Sequence, residues 1–172
     1  MEKFRSGYVS LTGRPNVGKS TLLNAILGEK AAIVTPKPQT TRNRITGVKT
    51  LDDAQIVFVD TPGIHKSKHK LGEFIVKEAV SALEDVDVIL FMAEPENPGP
   101  GDKHIIDMLR NADKPVFLLI NKIDTVKKPH LLSVIDAFSK LYVFKEIIPI
   151  SAKTGDGVDI LINTVVRYLP EG

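Results

Sequence analysis

The sequence contains no cysteine and no tryptophan, and aromatic residues make up only 6% of the chain. Without cysteine, neither a disulfide nor a thiolate metal site can form. The longest mostly apolar runs, Val86–Ala93 and Val116–Ile120, fall far short of the roughly 20 residues that a membrane-spanning helix needs. The N-terminal residues carry no apolar signal-peptide core. We therefore expect a cytoplasmic domain.

Charge of either sign is not in marked excess, since the net charge is +2 at pH 7. Such a balance does not by itself indicate a nucleic-acid partner. The 42% hydrophobic and 26% charged residues are ordinary for a globular protein, and 172 residues suit one domain over positions 1–172.

Apolar runs of strand length alternate with segments of helical period, which predicts an α/β fold with three layers. We expect about six strands in a mostly parallel sheet, one of them antiparallel, and about five helices. Strands are predicted at Tyr8–Thr12, Ile45–Leu51, Gln55–Asp60, Val86–Met92, Val116–Asn121 and Glu146–Ile150. Helices are predicted at Lys19–Leu27, Leu71–Leu83, Asp102–Arg110, His130–Leu141 and Val158–Tyr168.

A phosphate-binding loop is indicated by GRPNVGKS at Gly13–Ser20, which matches GxxxxGK[ST] between a strand and a helix. Backbone N–H groups of such a loop point at phosphates, the lysine neutralises charge and the serine hydroxyl binds Mg²⁺. The alternative is a chance glycine-rich turn, and the loop alone leaves ATP and GTP undecided. The candidate nucleotide-binding residues are Gly13, Arg14, Pro15, Asn16, Val17, Gly18, Lys19, Ser20 and Thr21.

Guanine is indicated by NKID at 121–124, directly after a predicted strand. The Asp124 carboxylate can accept from guanine N1–H and the 2-amino group, a donor pair that adenine lacks. Asn121 can bond the base or tie loops together, and the Lys122 stem can cover the base. After the next strand, SAK supplies Ser151, Ala152 and Lys153, with the Ala152 N–H as a candidate partner for guanine O6. Alone, each motif is also explained as a polar loop after a strand.

The γ-phosphate and the metal are the predicted partners of DTPG, at Asp60, Thr61, Pro62 and Gly63. Asp60 is expected to hold Mg²⁺ through water, and the Gly63 N–H to reach the γ-phosphate. A strand that ends in a Pro-Gly turn is the alternative. Within the irregular segment Glu29–Arg44, Thr40 and Thr41 both qualify as a further Mg²⁺ ligand.

The order GRPNVGKS, PQTTRNRI, DTPGIHK, NKID and SAK resembles the Era family of bacterial GTPases, within the translation-factor-like P-loop NTPases. The resemblance extends over essentially the whole chain and implies a GTP-hydrolysing switch. It favours Thr41 as the metal ligand beside Ser20 and Asp60. It also implies 16S rRNA binding and processing, and assembly of the small ribosomal subunit. Family members continue into a KH-type RNA-binding domain, which we expect to be absent from this chain.

Hydrolysis must proceed without the glutamine that follows DxxG in Ras-like GTPases, because Ile64 stands there. From related GTPases we hypothesise a K⁺ ion held by Asn16 and loop carbonyls beside the phosphates. The alternative is that Asn16 only tightens the loop. Lys19, Asn16, Thr41 and Gly63 are the catalytic candidates.

Ile64 also keeps a second class of function open, a GTP-dependent binding module with negligible turnover. The two irregular segments, Glu29–Arg44 and Pro62–Lys70, are basic, which fits either solvated charge or a surface that meets RNA. We expect a monomer, with peripheral association at the inner face of the cell membrane as a further hypothesis.

Overall fold

The computed structural model describes residues 3–28, 44–60 and 83–172. These residues form six β-strands and four α-helices, in an order that alternates strand and helix over most of its length. The strands are β1 (Arg5–Gly13), β2 (Arg44–Thr50), β3 (Ala54–Asp60), β4 (Val88–Ala93), β5 (Val116–Ile120) and β6 (Glu146–Pro149). The helices are α1 (Lys19–Leu27), α2 (Pro100–Leu109), α3 (Lys128–Ser139) and α4 (Val158–Tyr168).

The strands make one sheet in the order β2-β3-β1-β4-β5-β6. Only β2 runs antiparallel, and it pairs with β3 through a tight turn in which the Leu51 N–H donates to the Ala54 carbonyl at 2.7 Å. The other pairings are all parallel. The predicted mostly parallel sheet with one antiparallel strand is therefore confirmed.

Two apolar layers cover the two faces of the sheet, which completes the predicted three-layer arrangement. On one face, Leu22 and Ile26 of α1 pack with Leu161 and Val165 of α4. On the other face lie the apolar sides of α2 and α3, including Ile105, Leu109, Val134 and Phe138. Every residue of β4 and β5 is buried, because strands at the centre of a parallel sheet have helices on both sides.

Two helices begin earlier than the sequence indicated, and proline explains both differences. Helix α2 starts at Pro100 rather than Asp102, and α3 starts at Lys128 rather than His130, with Pro129 in its first turn. Proline is compatible with both starts, because the first turn of a helix does not use the N–H that proline lacks. Both helices also end one or two residues early, at Leu109 and Ser139.

Strand ends also differ slightly from prediction, since Val86, Asn121 and Ile150 lie outside the strands assigned to them. Of the predicted helix Leu71–Leu83, only its last residue is described, within a short 3₁₀ turn at Leu83–Asp85. The remainder of that helix lies outside the described residues, as do most of the two basic segments. Across 3–28, 44–60 and 83–172, no helix has the length and apolar character needed to cross a bilayer.

Candidate functional site

The phosphate-loop motif lies where it was predicted, between the end of β1 and the start of α1. Gly13 and Gly18 have φ angles of +155° and +108°, a region that residues with a Cβ rarely adopt. A Cβ on Gly13 would lie 2.6 Å from the Met92 carbonyl oxygen, and one on Gly18 would collide with the Asn121 amide. The glycines thus let the loop curl against β4 and β5 and direct the N-terminus of α1 toward the strand ends.

Two non-glycine residues of the described chain have a left-handed backbone, and they contact each other. Asn16 has a φ of 68° and Lys122 a φ of 63°. The Lys122 ammonium donates to the Asn16 carbonyl at 3.2 Å and lies 3.6 Å from a Glu94 carboxylate oxygen. Such backbone conformations cost free energy and concentrate at functional sites. The Lys122 side chain therefore reaches the phosphate loop, and the contact of its stem with the base stays a prediction.

Lys19 begins α1 and folds back over the loop, where its ammonium donates to the Gly13 carbonyl at 2.9 Å. Burial lowers the pKa of this ammonium, and the negative charge of Asp60 opposes that shift. Asp60 is the last residue of β3, so the strand end brings its carboxylate towards Lys19. Ser20 and Thr21 follow in the first turn of α1, both exposed.

Asn121 ties the phosphate loop to the SAK loop. Its side-chain NH₂ donates to the Val17 carbonyl at 2.8 Å, and its side-chain oxygen accepts from the Ala152 N–H at 2.9 Å. The asparagine is only 2% exposed, so both hydrogen bonds are shielded from water. Of the two roles open from the sequence, tying the loops together is the one that these contacts perform. The Ala152 N–H must be shared or released for the expected contact with guanine O6.

Asp124 is held in place by Ser151, whose hydroxyl donates to one carboxylate oxygen at 2.8 Å. Ser151 is buried, and its hydroxyl also accepts from the Thr154 N–H at 3.2 Å. The serine thereby fixes one oxygen of the carboxylate and leaves the exposed carboxyl group facing a cavity.

A cavity of about 320 Å³ lies between the phosphate loop and the NKID and SAK motifs. Its volume is at the lower end of small-ligand pockets and suits a single aromatic base. The lining residues are Gly18, Thr21, Asn121, Lys122, Asp124, Thr125, Ser151, Ala152 and Lys153. All but Thr125 were predicted from the sequence, and Thr125 is recognisable only as a neighbour of Asp124.

Arg14 belongs to the phosphate-loop motif, but its side chain pairs with acidic side chains outside the motif. Its Nε donates to Asp102 at 2.9 Å and its Nη2 to Glu96 at 3.3 Å. Burial alone would lower the pKa of Arg14, but the hydrogen bond and charge of Asp102, with Glu94 and Glu96, raise it. The pairing of Asp102 with Arg14 was not predicted from the sequence. The only available signal was an acidic residue two positions after Pro100, a pattern typical of helix starts.

Several predicted residues are not described by the structure: Thr40, Thr41, Thr61, Pro62, Gly63 and Ile64. Their roles stay predictions. In the described part of the chain, no cluster of three or more His, Cys, Asp or Glu side chains forms a metal site of its own. A hydroxyl at Ser20 and a carboxylate at Asp60 are hard oxygen donors that suit Mg²⁺ when phosphate and water supply the other ligands.

The glycine-rich loop at a helix N-terminus, the tethered Asp124 and the base-sized cavity define a P-loop domain of the guanine-nucleotide-binding class. The chain belongs to the 50S ribosome-binding GTPase family, which matches residues 8–122.

Individual relatives give the same assignment in more detail. The chain is 54% identical over 171 residues to GTPase Era of Lactobacillus helveticus, covering 99% of this chain and 57% of that protein. It is 55% identical over 170 residues to GTPase Era of Geobacter metallireducens, covering 98% and 57%. The chain therefore spans a little over half the length of these curated relatives.

Solved structures of similar proteins have the same fold. One is Era in complex with MgGDPNP and nucleotides 1506–1542 of 16S ribosomal RNA, with a TM-score of 0.80 at 45% identity over 98% of this chain and 58% of that one. Another is an Aquifex aeolicus Era variant bound to GDP.AlF4⁻, with a TM-score of 0.79, the same identity and the same coverage.

Proposed function

We propose that this chain binds guanine nucleotides and hydrolyses GTP to GDP and phosphate as a molecular switch. The observation that carries the proposal is the Asp124 carboxylate, which Ser151 holds at 2.8 Å beside a cavity of about 320 Å³. A carboxylate placed there accepts from two donors of guanine, whereas adenine would leave it unpaired.

The nucleotide-binding proposal is tested by the substitution Asp124→Asn. We expect GDP affinity to fall on the order of a hundredfold, with a gain in affinity for xanthosine diphosphate, because an amide complements a carbonyl at the position of the 2-amino group. Fluorescence titration with labelled GDP, XDP and ADP measures both changes. The control is Asp156→Asn, an exposed acid in the neighbouring loop. Equal loss for GDP and XDP would argue against the assignment.

For hydrolysis, the Lys19 ammonium is proposed to bind the phosphates of GTP. Lys19 is half-buried and its ammonium already donates to the Gly13 carbonyl, so a phosphate can replace that carbonyl without the full cost of removing water from the ammonium. Ser20, Asp60 and Thr41 are the proposed Mg²⁺ ligands, and the ion would add positive charge beside the phosphates. Loss of GTP cleavage on EDTA treatment, with recovery on adding Mg²⁺, tests this requirement.

The K⁺ hypothesis rests on Asn16, whose left-handed backbone adds a complication to the usual alanine test. Asparagine tolerates this conformation better than alanine does, so Asn16→Ala alters both side chain and backbone. Asn16→Gly removes the side chain and leaves the backbone conformation unstrained. If the side chain holds K⁺, turnover of Asn16→Gly is the same in KCl and NaCl, while the wild type is faster in KCl. A KCl advantage retained in Asn16→Gly would favour a purely conformational role.

An enzyme and a nucleotide-dependent binding module are separated by single-turnover cleavage of GTP. We expect measurable cleavage by the purified chain, since Lys19 and the loop are arranged for phosphate binding. Cleavage no faster than that of GTP alone would favour the binding module.

In the longer proteins that this chain resembles, we propose binding and processing of 16S rRNA and assembly of the small ribosomal subunit. RNA titrations over a range of salt concentrations, with this chain alone and with a KH-type domain joined to it, measure how much of the RNA affinity the GTP-binding part contributes.

We further propose a cytoplasmic monomer with peripheral membrane association. Light scattering, cell fractionation and vesicle sedimentation test these three points.

A further inference from the structure

Arg14 forms an anchor between the phosphate loop and helix α2. Its guanidinium donates through Nε to Asp102 at 2.9 Å, across 88 residues of sequence. Asp102 is 1% exposed, and a buried carboxylate without a cation would be strongly destabilising. Glu96 adds an exposed contact at 3.3 Å. The pair with Asp102, in which the carboxylate is buried and the arginine is 28% exposed, is therefore the contact on which the anchor mainly depends.

The Asp102 carboxylate is itself fixed at the start of α2. Its second oxygen accepts from the Gly99 N–H at 3.0 Å, immediately before Pro100. One carboxylate thus stabilises the first turn of the helix and holds the arginine. Because α2 packs on the sheet through Ile105, Ile106 and Leu109, the anchor point cannot shift freely.

Gly101 allows the arginine to lie against the backbone of this first turn. A Cβ on Gly101 would lie 2.7 Å from the Arg14 Cδ and 3.1 Å from its Cγ. The absence of a side chain at Gly101 therefore leaves the space that the Arg14 stem occupies.

The anchor fixes the first half of a strained turn in the phosphate loop. The Arg14 carbonyl accepts from the Val17 N–H at 3.4 Å, and Asn16 lies inside this turn with a φ of 68°. The second half is held by Asn121, on the Val17 carbonyl. A residue with left-handed backbone relaxes towards more favourable angles unless its surroundings oppose it.

We propose that Arg14 is a positioning residue for guanine-nucleotide binding, which acts through its pair with Asp102 to keep the Asn16 turn in its binding conformation. The inference rests on the proposed nucleotide binding. It assigns to Arg14 no contact with the nucleotide itself.

The test is a double-mutant cycle on the affinity for fluorescent GDP, with the melting temperature measured in parallel. Arg14→Gln and Asp102→Asn are each expected to weaken GDP binding about tenfold. The amide of Asp102→Asn retains an oxygen for the Gly99 N–H. The double variant is expected to be no more than about twofold weaker than either single variant, because both remove the same anchor. Glu96→Gln, which removes only the exposed contact, is expected to stay within about twofold of the wild type.

Gly101→Ala separates positioning from general stability, since it removes no charge and raises helix propensity. It is expected to weaken GDP binding about threefold, because the new methyl shifts the Arg14 stem, and to lower the melting temperature less than Arg14→Gln does, because Asp102 keeps a cation beside it.

Additive losses in the double variant would overturn the inference in favour of a direct contact between Arg14 and the nucleotide. Lower melting temperatures with unchanged GDP affinity would overturn it in favour of a structural role only. A wild-type chain that binds no GDP would overturn the proposed function and this inference together.

Discussion

The site has two sides that are built differently: the proposed base side, at NKID and SAK, and the phosphate side, at GRPNVGKS and Asp60. On the base side, Asn121, Asp124 and Ser151 hold one another or the neighbouring backbone through hydrogen bonds of 2.8–2.9 Å. On the phosphate side, Ser20 is exposed, and Lys19 donates to the Gly13 carbonyl of its own loop. The proposed base pocket is therefore already formed by contacts within the protein. In contrast, a protein group that binds phosphate, such as the Lys19 ammonium, must exchange its present partner when nucleotide binds.

The contrast indicates that specificity and catalysis depend on different parts of the site. A preformed pocket loses little conformational entropy on binding and discriminates through fixed polar groups. Groups that must change partner can respond to the presence of a third phosphate, as a switch requires. Three substitutions and one pH series test this contrast, starting with the strongest.

Lys19→Met should have the largest effect and should be confined to the phosphate side. Removing this ammonium is expected to lower single-turnover GTP cleavage on the order of a hundredfold to a thousandfold, since it stabilises charge on the transferred phosphate. Preference for GDP over XDP should persist. Lys140→Met, directly after α3 in an exposed ion pair with Asp136, is the control. If Lys19→Met also lost base preference, the two sides would not be separable.

Asn121→Ala should damage both sides at once. The substitution leaves the Val17 carbonyl and the Ala152 N–H buried without their partner, at a cost of about 2–4 kcal/mol in the free energy of unfolding. Chemical denaturation measures this loss. Asn163→Ala, at an exposed position of α4, should change stability by less than about 0.5 kcal/mol. Similar values for the two variants would contradict a tying role for Asn121.

Ser151→Ala should act on the base side alone. Losing the hydroxyl frees the Asp124 carboxylate and is expected to weaken GDP binding about fivefold, from a hydrogen bond worth about 1 kcal/mol. GTP cleavage at saturating nucleotide should change little. Ser139→Ala removes a hydroxyl that bonds within α3 and serves as the matched control. A fall in cleavage rate as large as the fall in affinity would show that the two sides are coupled.

The smallest effect is a pH dependence caused by Lys19. Burial lowers the pKa of its ammonium in the folded chain below the ordinary 10.5. Between these two pKa values the unfolded chain binds more protons, so the free energy of unfolding rises with pH. Wild type should therefore gain stability relative to Lys19→Met as alkaline pH rises towards 10.5, measured by denaturation without nucleotide. A difference independent of pH, or of opposite sign, would contradict the shift.

Much of this site was predictable because its motifs are local. GRPNVGKS, NKID and SAK each lie at the end of a strand that apolar residues mark clearly, and parallel strands bring their carboxyl ends to one edge. The errors at α2 and α3 were also local, since Pro100 and Pro129 are compatible with the first turn of a helix. The roles of Thr41 and Gly63 remain predictions.

By itself, the sequence determined the three-layer fold, the phosphate loop and the aspartate that is proposed to select guanine, because strand period and short motifs encode them. Only the tertiary structure decided that Asn121 joins two loops and that Arg14 pairs with Asp102. The physical reason is that these contacts join residues 31, 88 and 104 positions apart, which become neighbours only through the order of the strands in the sheet. No local pattern of charge or polarity specifies which distant partner a side chain will meet.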